Sequence, residues 1–556
     1  MDETFDFVIV GSGAGSMCAA LVMRQAGKRV LVLEKTELLG GTTARSGGVM
    51  WIPNNRYMKD AGVADSYDKA LTYLDALAEG ETDVPAATRE RRIAFLEEAP
   101  KMLEFLERQG VPLRRLPSYP DYYDAPGHSE ESRTVVAELF DQNQLGELKT
   151  KLRPNFIPLP AAVDEAMQLP WMKQSKAAKK IVGRVMFRAM TSRLLGKKLT
   201  TGGAALQGWT TKAALKAGAE IRLGAPVKQL IVEGGRVAGV VAEIDGRERR
   251  IGATSGVLLA AGGFARNQAM RDQYIPGTKV EGSSTAEGDT GDLIQEAIRL
   301  GAAVAQMREM VGQPVAYPPG RPVAIAHGDV TKPHSILVDQ SGARFMSEAQ
   351  SYVELGRGLL DHAPGKPGAP AWLIVDSQYM SKYMFLGTMA GAPKPQPWID
   401  QGFLKKADTI EALAQACGID PGKLRATVER FNGFVRQGHD DDFRRGDRAY
   451  DRWLGDPFRK GVEQSLGAIE QGPFFAVQIY PGDVSTFGGV LTDARARVLR
   501  ADGSPIEGLY ATGTTTASVF GRRSPGAGAS LGPAFTFAYI AAKDAAHAGN
   551  LAEAAA

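Results

Sequence analysis

The chain carries short, wholly apolar runs separated by long mixed stretches. Phe7-Val8-Ile9-Val10 and Val30-Leu31-Val32-Leu33 are too short for buried helices, and each is bounded by polar or glycine residues. This predicts buried strands, with a helix filling the interval between them. Gly256–Gly263 (GVLLAAGG) and Gly508–Gly513 (GLYATG) read as two further strands ending in small residues, and Gly532–Ala541 (GPAFTFAYIA) as an apolar helix. The segment 173–198 has another pattern. It holds nine Lys/Arg and no acid, with Val182, Val185, Met186, Ala189 and Met190 at helical spacing. Such a helix is either a solvated outer face or a contact to an anionic membrane surface.

The turn after the first strand carries the first chemical signal. Gly11 permits a tight strand-to-helix turn, Gly13 lets a pyrophosphate approach the backbone, and the third glycine position of a dinucleotide loop holds Ser16, which is still small. Ala14 and Gly15 complete the loop. Glu34 ends the second strand, about 20 residues on, where an acid that binds ribose belongs. Lys35 and the stretch Gly40–Gly48 (GGTTARSGG) follow at once, with Gly41, Thr42, Thr43, Ser46, Gly47 and Gly48 as backbone or hydroxyl contacts. A nicotinamide cofactor needs no second glycine- and hydroxyl-rich loop here. The longer FAD does, so FAD is expected. Ala261, Gly262, Gly513, Gly528, Ser530 and Leu531 are its remaining candidate contacts, and a helix N-terminus near 532 would favour negative charge on the bound ring system.

Composition narrows the setting. At 556 residues two or more domains are expected. Side chains number 66 basic and 63 acidic, too balanced for nucleic acid, and the mean hydropathy is −0.18. Two cysteines, Cys18 and Cys417, predict no disulfide framework and a reducing, cytoplasmic setting, and a strand beginning near Met1 predicts no signal peptide. The six histidines show no metal-ligand spacing, so no metal is expected.

Taken in order, these segments resemble the flavoprotein family that contains the fumarate reductase and succinate dehydrogenase flavoprotein subunits and the 3-ketosteroid dehydrogenases. The resemblance implies an α/β fold: a Rossmann-like FAD-binding domain built from both chain ends, residues 1–280 and 483–556, with an inserted α+β catalytic (cap) domain at 281–482. Covalent FAD in some members uses a His near the second glycine cluster. None occurs at 40–48, so non-covalent FAD is expected.

The family motifs also bear on substrate. In Gly342–Gly358 (GARFMSEAQSYVELGRG), fumarate reductases carry an Arg at the place of Tyr352, whereas ketosteroid dehydrogenases carry a Tyr that removes a proton beside a ring ketone. Neighbouring positive charge is expected to poise this Tyr352 as a base. Leu116–Gly127 (LPSYPDYYDAPG) resembles the ketosteroid dehydrogenase loop whose tyrosine partners the base, with Tyr122 as the match and Tyr123 as the alternative. Phe520–Gly532 (FGRRSPGAGASLG) keeps the Gly528 N–H expected to hold the keto oxygen, but Ser524 stands where that family has a Tyr. Arg522 or Arg523 is a candidate replacement, either on an enolate or by clamping a carboxylate; the alternative is that both bind only FAD phosphate or solvent. The resemblance therefore implies 3-ketosteroid Δ1-dehydrogenation, with Δ4 possible, and an external electron acceptor, quinone-like or of another kind that the sequence does not identify. The same chemistry on an oxo-cyclohexane carboxylate, a fumarate-reductase-like enoate reductase, and a flavin protein inactivated by Ser524 are the alternatives.

Overall fold

The computed structural model describes residues 1–79, 84–363 and 365–555, with side chains through 548. The strand Glu3–Val10 lies at the middle of an eight-stranded sheet, parallel to Val30–Leu33 on one side and to Arg247–Leu259 on the other. Pro505–Ala511, from the far end of the chain, joins in parallel beside Arg247–Leu259, pairing Val257 with Leu509. Both ends of the chain thus build one sheet. Alternate residues of the apolar runs serve opposite faces, as strand geometry requires. Phe7, Ile9, Val30 and Val32 pack with Met17 and Cys18 of the helix Ser16–Gln25 and with Phe535 and Ala538 of the C-terminal helix. Val8, Val10, Leu31 and Leu33 face Val227, Val240 and Leu293 on the other side. Burial on both faces is why these strands are continuous apolar runs without alternation.

A second, six-stranded antiparallel sheet stands apart from the first. Met310–Ala316 and Ala371–Val375 flank its long central strand Phe474–Thr486, and Ser335–Val338 lies at one edge. One face is covered by the helices Ile410–Cys417 and Pro421–Gln437 through Leu413, Leu424 and Phe431. The other packs Leu337, Leu373 and Val477 against Tyr379 and Trp398.

The expected limits of the inserted part shift at both ends. Leu293, Ala297 and Ala302 pack into the core of the parallel sheet, so the helix Asp292–Arg299 belongs with that sheet and the insert's own sheet begins at Met310. At the other end the strand Phe474–Thr486 runs through the expected 482/483 limit. The apolar C-terminal segment is also longer than 532–541, forming a helix over Leu531–Ala555. The basic segment does form a helix, Lys176–Leu194, N-capped by Ser175, whose hydroxyl accepts from the Ala178 N–H. Its apolar stripe is divided, however: Val185 is buried, whereas Met186, Phe187, Met190 and Leu194 are 55–79% exposed.

Where the chain passes between the two sheets, Asp483 accepts from the Ser283 hydroxyl at 2.6 Å and faces Arg271 at 2.7 Å, with both charged side chains fully buried. Removing one partner of such a pair leaves an uncompensated buried charge and typically costs about 3–5 kcal/mol. Arg271→Met is therefore expected to lower stability by an amount in that range, read by urea unfolding. A loss below about 1 kcal/mol would show that the pair does not hold the junction.

Candidate active site

One cavity of about 670 Å³ runs from the glycine loops of the parallel sheet to the tip of the inserted sheet. Gly11, Gly13, Ala14, Glu34 and Lys35 line its inner end, and Ala261, Gly262 and Gly513 form the adjoining strand ends. Gly41, Thr42, Thr43, Ser46 and Gly47 border its middle, as do Gly528, Ser530 and Leu531. Gly15 and Gly48 do not reach the wall. A Cβ at Gly15 would meet the Ala534 carbonyl and one at Gly48 the backbone of Gly202, so both positions need glycine for close packing.

The cradle suits a dinucleotide with a long ring system. Gly11 has φ +98° and lies so close to the Ala260 carbonyl that a Cβ would sit 2.3 Å from its oxygen, so only glycine makes the turn. At Gly13 and Gly47, by contrast, the nearest protein atom to a Cβ position is 3.9 Å away, which leaves their backbone open to the cavity. The Glu34 carboxylate is positioned from within. It accepts from the Ser12 N–H and hydroxyl at 3.1 and 2.6 Å and from the Thr36 N–H and hydroxyl at 2.9 and 2.8 Å. The Ser12 hydroxyl also accepts from the Gly40 N–H at 2.9 Å, tying the two glycine loops together. Lys35 Nζ is held by Thr290 and Asp292. Asp289, beside Gly262 in the same wall, is fully buried, and desolvation pushes its pKa up to about 7. Neither Ser12 nor Asp289 carries a motif signal in the sequence.

At the outer end the wall turns apolar, with Phe156, Pro322, Val323 and Ile325 around Tyr352. Tyr352 is the first residue of the helix Tyr352–Asp361, whose N-cap is Ser351. Its ring meets that of Tyr122 edge to face at 5.8 Å, and Tyr119 and Tyr450 pack behind Tyr122 at 6.4 and 4.5 Å. Tyr123 points elsewhere and donates to Glu354 at 2.7 Å, so of the two adjacent tyrosines it is Tyr122 that reaches the cavity tyrosine.

Two buried ionic clusters fix this pair. Asp121 accepts from Trp51 Nε1 at 2.8 Å and from Arg133 at 2.7 Å, and Arg133 in turn binds Asp65 at 2.6 Å. The Tyr122 N–H and the Tyr73 hydroxyl both donate to the Pro525 carbonyl, at 3.0 and 2.8 Å, joining the Tyr122 loop to the 520–532 turn. On the other side Glu348, four residues before Tyr352, is fully buried and accepts from Arg344, Arg445 and the Leu337 N–H.

The electrostatics differ from expectation at Tyr352. Burial raises its pKa, and the influence opposing this comes from the neighbouring Tyr122 hydroxyl, not from a cation. The helix N-terminus supplies further stabilisation of a phenolate at this position. His327, T-shaped against Tyr352 at 5.3 Å, is driven by desolvation and by Lys332 to a pKa of about 3, so it is neutral there. Lys332 is itself lowered to about 8 by burial, and it donates to the Leu454 and Gly455 carbonyls behind Tyr450.

The 520–532 turn brings Gly528 to the wall but not Ser524. Gly528 has φ +96°, and a Cβ there would lie 2.5 Å from the Val49 carbonyl oxygen. Its carbonyl accepts from the Trp51 and Gly532 N–H groups, while its own N–H has no acceptor among the described residues. Ser524 is 4% exposed, lies off the wall, and meets the Tyr123 hydroxyl through its backbone. Ser524, expected to reach a keto oxygen only through water or a shifted substrate, is thus not among the residues that line the cavity, and this part of the turn faces Tyr123. Arg522 pairs with Glu309 at 2.8 Å, and Arg523 lies over the Tyr123 ring at 5.6 Å; neither lines the cavity. No cluster of His, Cys, Asp and Glu able to hold a metal occurs among the described residues.

Residues 6–531 match the family model described as an FAD binding domain, and the chain belongs to that family. It is a flavoprotein with FAD as its cofactor, and its fold is that of the fumarate reductase and succinate dehydrogenase flavoproteins. It is 40% identical to the 3-oxosteroid 1-dehydrogenase of Mycolicibacterium smegmatis, over 98% of this chain and 97% of that one. It is 35% identical to the 4-oxocyclohexanecarboxylate 2-dehydrogenase of Sinomonas cyclohexanicum, over 97% of this chain and 92% of that one. The crystal structure of 3-ketosteroid delta1-dehydrogenase from Sterolibacterium denitrificans in complex with 1,4-androstadiene-3,17-dione superposes with a TM-score of 0.89 at 35% identity, covering 98% of this chain and all of that one.

Glu34→Ala removes the acceptor of four protein hydrogen bonds and strands the buried Ser12 donors. The Kd for FAD is expected to rise at least about tenfold, a factor worth about 1.4 kcal/mol, with loss of FAD on gel filtration. An unchanged Kd would take Glu34 out of the cofactor site.

Proposed function

We propose that this protein is an FAD-dependent 3-ketosteroid dehydrogenase that desaturates ring A at the Δ1 position, with Tyr352 as base. The observation that carries this reading is that Tyr352 and the unpaired Gly528 N–H line one cavity with the glycine loops, with the buried Tyr122 ring against Tyr352. A keto oxygen that accepts from the Gly528 N–H draws charge from the ring, which acidifies the adjacent C–H. Tyr352 takes that proton at its phenolic oxygen, and Tyr122 donates to the same oxygen, holding it before the transfer and passing the proton on afterwards. FAD, when bound, supplies the acceptor for the hydride that leaves the neighbouring carbon. The apolar residues Phe156, Val323 and Ile325 on the wall suit a hydrocarbon skeleton. FAD is held without a covalent bond, and an external quinone-like acceptor removes the electrons.

Tyr352 also favours this chemistry over enoate reduction. Delivery of a proton to a dicarboxylate suits an Arg, which is charged at all working pH, whereas a tyrosine can accept a proton and return it. A second reading, the same desaturation of an oxo-cyclohexane carboxylate, has support from the 35% identical relative. It needs a cation on the wall; neither Arg522 nor Arg523 stands there, although Arg45, Arg153 and Arg266 line the same cavity.

We also assign the helix Lys176–Leu194 to peripheral contact with an anionic membrane surface. Its support is the exposed set Met186, Phe187, Met190, Leu194 and Leu195 on a segment with nine basic side chains. Among the described residues no helix is long and apolar enough to cross a membrane.

Tyr352→Phe is expected to lower kcat for a ketosteroid by about 10²- to 10⁴-fold with little change in KM, because a base acts mainly in the transition state. A drop below tenfold would make Tyr352 a packing residue. The pH profile gives an independent check. Only the deprotonated phenol is a base, and its pKa is raised above the ordinary value of about 10, so kcat/KM should climb with pH without levelling off below pH 10. A plateau near neutrality would point to another base. Phe187→Glu with Met190→Glu should abolish cosedimentation with phosphatidylserine vesicles and leave soluble-substrate turnover intact; persistent binding would remove this helix from the contact.

A further inference from the structure

A second cavity, of about 40 Å³, shares Gly513, Ser530 and Ala534 with the wall of the large one. Among the residues that line it, Arg91 alone carries a charge. Arg91 is 2% exposed and makes no ion pair among the described residues. One of its terminal nitrogens donates to the Ala86 and Ala517 carbonyls, at 2.6 and 3.3 Å, and its guanidinium lies over the Phe537 ring at 4.9 Å, but its Nε has no partner. Burial lowers its pKa only to about 10, so it keeps its charge at neutral pH. Asp493, the carboxylate whose field favours that charge, is itself bound to Arg497 at 2.7 Å. Two hydroxyls on the same wall are also incomplete. That of the fully buried Thr486 has no partner, and that of Ser518 accepts from the Phe520 N–H at 3.1 Å and donates to no described group. Ser530, Pro533 and Ala534 belong to the start of the helix Leu531–Ala555, whose N-terminus adds further positive potential.

We propose that this cavity binds one small monovalent anion of the halide class, held by the Arg91 Nε–H and the Thr486 hydroxyl. The inference goes beyond the ring-ketone reading and does not depend on it. A guanidinium taken out of water without a counter-ion is costly, and a buried hydroxyl proton without an acceptor adds to the cost. One anion answers both. Water would answer the hydrogen bonds but leave the charge, which the helix N-terminus makes worse. Size sets the class of ion. The cavity is little larger than the roughly 30 Å³ that a water molecule occupies in the liquid, so a monatomic ion fits and a tetrahedral oxyanion does not.

Crystals of the FAD-bound protein soaked in sodium bromide, with diffraction recorded at the bromine absorption edge, test this directly. The expected result is an anomalous peak within hydrogen-bond reach of Arg91 Nε and Thr486 Oγ1, and its loss in Arg91→Met. In solution, the Tm of the holoenzyme is followed as bromide replaces gluconate at constant ionic strength. It should rise saturably, because an ion bound only by the folded state stabilises it by mass action. Thr486→Val keeps the side-chain shape and serves as the second variant should Arg91→Met not fold. Its Kd for bromide should rise at least about tenfold, the effect of losing one hydrogen bond to an ion. A cavity that holds only water or part of the flavin overturns the proposal, as does a peak that persists in Arg91→Met. A crystal peak without a saturable response in solution means binding at crystal concentration only and overturns it too, and an unchanged Kd in Thr486→Val overturns the assigned site.

Discussion

The contact between the rings of Tyr122 and Tyr352 joins two parts of the chain that share no sheet. Tyr122 sits on a loop anchored to the parallel sheet's side of the molecule, and Tyr352 begins a helix that packs on the antiparallel sheet. A phenol can serve as a base only if its hydroxyl is held beside the proton it takes, and a water-filled gap between the two sheets would forbid that. The buried charges explain how the gap is closed. Arg133 with Asp65 and Asp121 fixes one tyrosine, Glu348 with Arg344 and Arg445 fixes the other, and Arg271 with Asp483 ties the crossing point. Such pairs contribute little net stability compared with apolar packing, but they define geometry sharply because each partner has one satisfactory position.

The same economy of fixed donors governs the cofactor end. Glu34 has four protein hydrogen bonds before any ligand arrives, so its carboxylate is oriented in advance. The Gly528 N–H is the complement of this arrangement, a backbone donor left without an acceptor inside an otherwise satisfied turn. A donor supplied by the main chain is indifferent to side-chain identity. Loss of the usual tyrosine at Ser524 therefore leaves the donor in place.

Much of this was legible in the sequence where a regular period or a steric necessity wrote it there. Runs such as Phe7–Val10 announce strands buried on both faces, and Gly11 announces a turn that no other residue can make. Tyr352 and Tyr122 were readable because short motifs place them. Ser12 was not, since its role arises from a hydroxyl that bridges Glu34 and Gly40, 22 and 28 residues away. Asp121 with Arg133, and Glu348 with Arg445, were invisible for the same reason: a pair made by folding has no spacing signature. Ser524 misled because a motif gives order along a turn but not the side to which each residue faces, and here that side is Tyr123. The poise of Tyr352 was also misjudged. Burial and a neighbouring phenol, not a cation, set its protonation.

The central claim is that Tyr352 moves a proton at the carbon beside a ring ketone, and this can be tested apart from the redox step. Holoenzyme whose flavin has been reduced with dithionite would be incubated anaerobically with a 3-ketosteroid in D2O, and deuterium in the recovered steroid located by NMR. The account requires deuterium at the carbon next to the 3-keto group with the wild-type protein and its loss with Tyr352→Phe. Exchange that persists in Tyr352→Phe, or a wild type that exchanges nothing, would contradict it.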